Sequence, residues 1–181
     1  MIGSHDVDMI SCSELHALAP SIATPIFDTL RRTGIGILGT VRRDGSPRVS
    51  PIEVSIQDGG LFVGMMPESQ KLRDVVRDPR CALLTPVADR EDVAGEGKLF
   101  GRLERLDGVR GADVLRAAAT QAGIDPEVVA GSPAFELVID AAAWQCVMGE
   151  TFTTLSWRLG APVRLRHRVG ALGLPVDVPV T

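Results

Sequence analysis

Gly36 to Thr85 reads GILGTVRRDGSPRVSPIEVSIQDGGLFVGMMPESQKLRDVVRDPRCALLT, and this stretch decides the fold. Asp44-Gly45 and Asp58-Gly59-Gly60 tolerate the backbone angles of tight hairpin turns, and they stand between runs in which apolar and polar residues alternate. The pattern predicts a three-stranded β-meander. Pro67 and Glu68 then break the alternation. Ser69 is a good N-cap, and Leu72, Val75 and Val76 recur at helical spacing until Asp78-Pro79 ends the helix. A fourth strand, Cys81 to Thr85, follows.

Lysine is scarce, since Lys71 and Lys98 stand beside seventeen arginines. A helix start that offers a hydroxyl, free N–H groups and a cation suits a phosphate. An ordinary serine cap with a solvated lysine is the plain alternative, and these residues alone leave both open.

Outward from this stretch, residues 1–12 show no periodicity and are expected to form a flexible lead. Between Glu14 and Arg32 the residues Leu15, Leu18, Ile22, Ile26, Phe27 and Leu30 fall mostly at helical intervals, and Pro20 and Pro25 are expected to divide the segment into short pieces. Downstream come a polar loop from Asp89 to Gly97, a strand over Lys98 to Leu106, and an amphipathic helix from Gly111 to Ala122, closed by Gly123. Phe135 to Ile139 and Trp144 to Met148 read as two strands joined by an alanine-rich bend, and Thr151 to Arg158 as another. Residues 159–181 alternate briefly through Val163 to Arg168, then turn rich in Gly and Pro, as an edge strand with a loose tail would. The reading is one domain over residues 13–158, mainly β with flanking helices (α+β). Short strands at regular spacing favour a barrel.

Composition narrows the function. A formal net charge of −4 and seven aromatic residues, none of them tyrosine, argue against nucleic acid. No apolar run approaches the roughly 20 residues needed to span a bilayer, and no signal-peptide pattern opens the sequence, so a cytoplasmic, membrane-free protein is expected. Cys12, Cys81 and Cys146 lack paired spacing, and His5, His16 and His167 form no helical pair, so no metal is expected. No nucleophile sits in a recognisable elbow, which speaks against hydrolase chemistry and leaves the catalytic residues unknown. Gly34-Ile35-Gly36-Ile37-Leu38-Gly39 satisfies GxGxxG, but that motif needs a strand before it and a helix after it. Here the order is reversed, and the dinucleotide reading is rejected.

With the meander and the Ser-x-Lys helix in order, the segment from Thr33 to Trp157 resembles the pyridoxamine 5'-phosphate oxidase-like family of flavin-binding split β-barrels. GTVRRDGSPRVSPI, GGLFVG, SQKLRDVVRDPR, LLT and GRLERLD carry the likeness. It implies a homodimer with two cofactor sites across the interface, an FMN or deazaflavin (coenzyme F-420) cofactor and a small-molecule substrate. By position, Val49, Ser50, Pro51 and Ile52 would line the ring system, Met65 and Met66 would lie beside it, and Ser69, Gln70 and Lys71 would grip the phosphate. Trp157, with Arg164, Arg166 and Arg168, resembles the oxidase's tryptophan and arginine-rich substrate segment, with the register off by one. Val49 and Val54 stand where the true oxidases place an arginine and a lysine, which argues against oxidation of the vitamin precursor. The implied activity is transfer of hydride or electrons between the cofactor and a small molecule. The rival expectations are a protein that binds, stores or senses a flavin without turnover, and an interaction protein with no cofactor.

Overall fold

The computed structural model describes residues 9–87 and 95–180, so residues 1–8 of the expected lead and residues 89–94 of the expected polar loop lie outside the described residues. Helices α1 (Cys12–Leu18) and α2 (Pro20–Thr33) lead into strands β1 (Ile35–Val41), β2 (Pro47–Gln57) and β3 (Gly60–Gly64). Helix α3 (Gln70–Arg77) and strands β4 (Arg80–Leu84) and β5 (Glu96–Arg105) follow. Then come α4 (Gly108–Gln121), a 3-10 turn (Pro126–Val129), and strands β6 (Ala134–Met148), β7 (Thr151–Arg158), β8 (Arg164–Val169) and β9 (Val176–Val178).

Adjacent strands pair in the order β3-β2-β1-β4-β5-β6-β7-β8-β9, and β3 also pairs with β6. The first six strands therefore close into a barrel, and the last three extend it as a flap. The expected meander is β1-β2-β3. Its second turn, Asp58-Gly59, has two consecutive residues at φ 49° and 78°, the left-handed pair that matches the twist of a two-residue hairpin. The GxGxxG glycines fall as the rejection requires: Gly34 is the left-handed C-cap of α2, and Gly36 and Gly39 lie within β1.

Alternate strand residues fill the barrel. Leu38, Ile52, Leu83, Leu99, Leu103, Leu137 and Ile139 are all buried, joined by Leu15, Ile22, Ile26 and Leu30 from the two leading helices. Helix α2 reaches the strands because Gly97 has no side chain: a Cβ there would lie 2.4 Å from Ile26 Cγ1. Pro25 does not divide this helix, contrary to the expectation. The carbonyl its missing N–H would have engaged belongs to Ser21, on the exposed face.

Three further expectations are corrected. The two late strands are one 15-residue strand, β6, which serves the barrel with its first half and the flap with its second. A bulge makes this possible. Phe100 pairs with Ala141 and Gly101 with Ile139, so Asp140 is the extra residue. Order begins before Ser13: Ile10 exchanges both backbone bonds with Ile139, at 3.1 and 2.8 Å, in the gap between β3 and β7 on the same edge of β6. Finally, β8 is paired on both sides and is not an edge strand; that place belongs to β9. Among the described residues no helix is long and apolar enough to cross a membrane.

The bulge gives a test of the barrel. A Cβ on Gly101 would lie 1.9 Å from the Val138 carbonyl oxygen, and backbone cannot swing aside as a side chain can. Gly101→Ala is expected to cost about 2–3 kcal/mol of stability, read as a fall in the urea midpoint at unchanged slope.

Candidate functional site

β2 has eleven residues and β3 five, and β3 covers only Val54 to Gln57 of it. Among the described residues, the N-terminal half of β2 is thus paired on one side alone, to β1. In an antiparallel ladder the N–H and C=O of one residue point to the same side, alternating along the strand. The Pro51 carbonyl turns away from β1 and accepts a hydrogen bond from Lys71 Nζ at 2.8 Å. Val49, two residues back, presents its N–H and C=O to the same open edge.

Beside this edge the chain leaves β3 and enters α3. Glu68 takes φ 60°, unusual for a residue with a side chain, and Ser69 N donates to Met66 O at 3.2 Å. Ser69 caps the helix as expected, accepting from Leu72 N at 3.3 Å. Lys71 has spent one of its three donors on Pro51, and partial burial pulls its pKa below the ordinary lysine value.

The expected ring-lining residues divide by face. Val49, 68% exposed, and Pro51 point outward, next to Gly39 and Ile37 of β1. Ser50 pairs with Leu38 and turns to the barrel side, and Ile52 is a core residue at 5% exposure. The methionines divide as well: Met65 is buried and Met66 is 77% exposed. The outer face of β2 and β1 continues across Ala82 of β4 and Phe100 of β5 to Ala141 of β6, a low apolar floor beside Lys71. Gln70 is the exposed first residue of α3. Ser69, Gln70, Lys71, Val49 and Pro51 thus come together, while Ile52 and Met65 support them from the core.

Trp157 does not join them within one chain. It is buried on β7, outside the closed barrel, and lines a broad open hollow of about 1280 Å³ with Phe100, Arg102, Asp140, Arg158 and Arg164. Of the other expected segment, Arg164 and Arg166 both pair with Asp177 of β9, at 2.6 and 3.1 Å.

Sequence reasoning missed a polar cluster between α3 and the strands β1 and β2. Asp74 of α3 is 4% exposed, and its Oδ2 accepts from Arg48 Nε at 2.6 Å and Thr40 Oγ1 at 3.2 Å. Arg77 lies 3.6 Å from the other oxygen and donates to the Val41 carbonyl. Burial acts to raise the Asp74 pKa, but Arg48, Thr40 and Arg77 outweigh it and hold the carboxyl below its ordinary value. At the far end of α3, Asp78 is drawn down to about 2 by hydrogen bonds from Arg80. Cys12 and Cys81 are pushed up to about 12 by burial and stay thiols at neutral pH. Among the described residues no cluster of His, Cys, Asp and Glu could hold a metal ion.

A strand that outruns its neighbour and a capped Ser-x-Lys helix beside the exposed edge are the geometry against which relatives can be judged. The sequence model of the pyridoxamine 5'-phosphate oxidase family matches residues 25–145. The chain belongs to this family. Its split-barrel fold recurs in a conserved hypothetical protein of Mycobacterium tuberculosis, with a TM-score of 0.55 at 20% identity over 75% of this chain and 85% of that one. A structure named F-420 reductase gives 0.52 at 22% identity, covering 65% of this chain and 94% of that one. The heme storage protein HutZ from Vibrio cholerae gives 0.56 at 15% identity, covering 68% and 90%. No curated protein sequence matches the chain.

Asp74 carries a prediction about pH. Its folded pKa lies below the unfolded value, so its contribution is complete above the ordinary aspartate pKa of about 3.9 and is lost as pH falls through the folded value. Asp74→Asn should cost about 2–3 kcal/mol at pH 7, since it strands a part-buried Arg48. Urea titrations at pH 7 and pH 3 should show the gap between wild type and variant shrinking at the lower pH.

Proposed function

We propose that this chain binds FMN, or alternatively the deazaflavin F-420, and acts as an oxidoreductase toward a small molecule. The observation that carries the reading is the cradle at the start of α3: a serine cap, a lysine with donors to spare, and the open edge of β2 immediately beside it. Both cofactors carry a phosphate, and helix-start N–H groups with a cation fit that chemistry. The short side chains of Gly39 and Ala82, beside Pro51, leave room for a flat ring over this part of the face.

When bound, the cofactor supplies hydride or electrons, and the protein's part is binding, orientation and exclusion of water. Lys71 and Ser69 hold the phosphate. The Val49 N–H and C=O offer the polar edge of the ring a donor and an acceptor. Met66 and Val49 cover apolar ring surface. The two valines at the oxidase's cationic positions keep pyridoxamine phosphate oxidation out of the proposal. Val49 lies on the exposed outer face, where a substituted arginine would have reached solvent and ligand.

The working unit is proposed to be a homodimer. Val49, Met66 and Val76, at 68%, 77% and 63% exposure, are apolar side chains on and around β2 and α3 that a partner's surface would cover. A second reading is binding or storage without turnover, and it is favoured by one observation: the carboxylates of Glu68 and Asp74, on either side of the cradle in the chain, are both engaged by arginines and are not free to serve as acid or base.

Lys71→Ala should weaken FMN or F-420 binding by about 1.5–3 kcal/mol in calorimetry, the scale of one charge-assisted hydrogen bond. Unchanged affinity would remove the cradle from the reading. Reduced cofactor offered with a panel of quinones, enones and oxygen decides between the two readings: oxidation above the protein-free rate supports the oxidoreductase, and tight binding with none supports storage. Sedimentation equilibrium should return twice the chain mass.

A further inference from the structure

Helix α3 has only eight residues, too few to be stable alone, so its placement depends on what ties it to the barrel. Apolar burial supplies part of the tie, through Val75, which is 2% exposed, and the half-buried Leu72. The rest is polar and gathers on one carboxylate. Asp74 takes Arg48 of β2 and Thr40 of β1 on the same oxygen, and Arg77, beside its other oxygen, reaches the Val41 carbonyl. A second clasp joins the same helix to the same strand: Lys71 to the Pro51 carbonyl, three residues along each element from the first. With both clasps closed, the first turn of α3 has one position on the open edge of β2. With the Asp74 clasp opened, the helix can turn about the Lys71 contact, and Ser69 and the helix-start N–H groups turn with it.

We propose that Asp74 is a positioning residue for the phosphate cradle, setting the first turn of α3 through its bonds to Arg48 and Thr40. The inference rests on the reading of Ser69 to Lys71 as that cradle. It also gives Arg48 a defined part: the guanidinium is held on the barrel side and is not a phosphate ligand.

Calorimetry with FMN and with riboflavin, which lacks the phosphate, tests this on wild type, Asp74→Asn, Lys71→Ala and the double variant. Asp74→Asn should weaken FMN roughly tenfold and leave riboflavin unchanged, and in the Lys71→Ala background it should still weaken FMN, because Ser69 and the helix-start N–H groups are displaced there too. Thr40→Val keeps the ion pair and should show the same pattern with a smaller loss, which covers the case in which Asp74→Asn folds poorly. Equal losses for FMN and riboflavin, no further loss of FMN binding in the Lys71→Ala background, or tighter FMN binding through a freed Arg48 would each overturn the proposal. Hydrogen exchange provides a readout without any flavin: amides of residues 69–73 should exchange faster in Asp74→Asn while those of β5 and β6 keep their protection. Unchanged exchange there overturns the clamp. Faster exchange with Lys71→Ala neutral toward FMN instead leaves the clamp standing and removes the cradle.

Discussion

The candidate site depends on a mismatch of length. β2 runs eleven residues and β3 five, so from Pro47 to Ile52 one side of β2 carries backbone groups that no strand among the described residues meets. Unpaired strand edges recruit partners, and proteins cover them or use them. Here α3 takes one position, through Lys71 on the Pro51 carbonyl, and leaves Val49 open. Had β3 continued along β2, the edge would be closed and the helix would have no place to start.

The same economy governs the other end of the sheet. β6 must close the barrel against β3, take Ile10 at Ile139, and then become the root of the flap with β7. A straight strand could not satisfy three partners on one edge. The bulge at Asp140 turns it, and Leu159 N fills the carbonyl that the turn exposes, at 2.8 Å. This explains why an alanine-rich run read as a bend is strand throughout. Ala141, Ala142 and Ala143 have weak strand propensity, but pairing on both sides overrides it.

What was legible in the sequence came from local rules. The two hairpin turns, the serine cap and the Asp78-Pro79 stop depend on backbone angles that few residues tolerate, so composition revealed them. The barrel followed from the strand count and the family likeness. The Asp74 cluster was illegible for a physical reason. Leu72, Val75 and Val76 predicted the buried face of α3, yet Val76 is 63% exposed and Asp74 is buried at 4%. A carboxylate is placed inside only if a cation and hydrogen-bond donors meet it there, and Arg48 and Thr40 stand 26 and 34 residues away in the chain. No periodicity within α3 could report them. Pro25 misled in the opposite sense: its cost depends on whether the freed carbonyl reaches water, which the pattern of apolar residues does not state.

The Arg48-Val49 pair shows what one residue of phase does to a side chain on β2. A strand alternates faces with every residue, so an arginine at 48 cannot stand in for one at 49. Position 49 faces outward over the open edge, and position 48 faces the barrel, where its guanidinium is engaged by Asp74 at 2.6 Å. The cationic charge is present in the sequence but spent on structure. On the proposed reading the cradle is left with one lysine, and its grip on a phosphate would come from Lys71 together with the helix-start N–H groups. Such a grip is directional, and any movement of α3 weakens every contact in it at once. A site built this way needs its helix held from behind, which is the service that Asp74, Arg48 and Thr40 are placed to give.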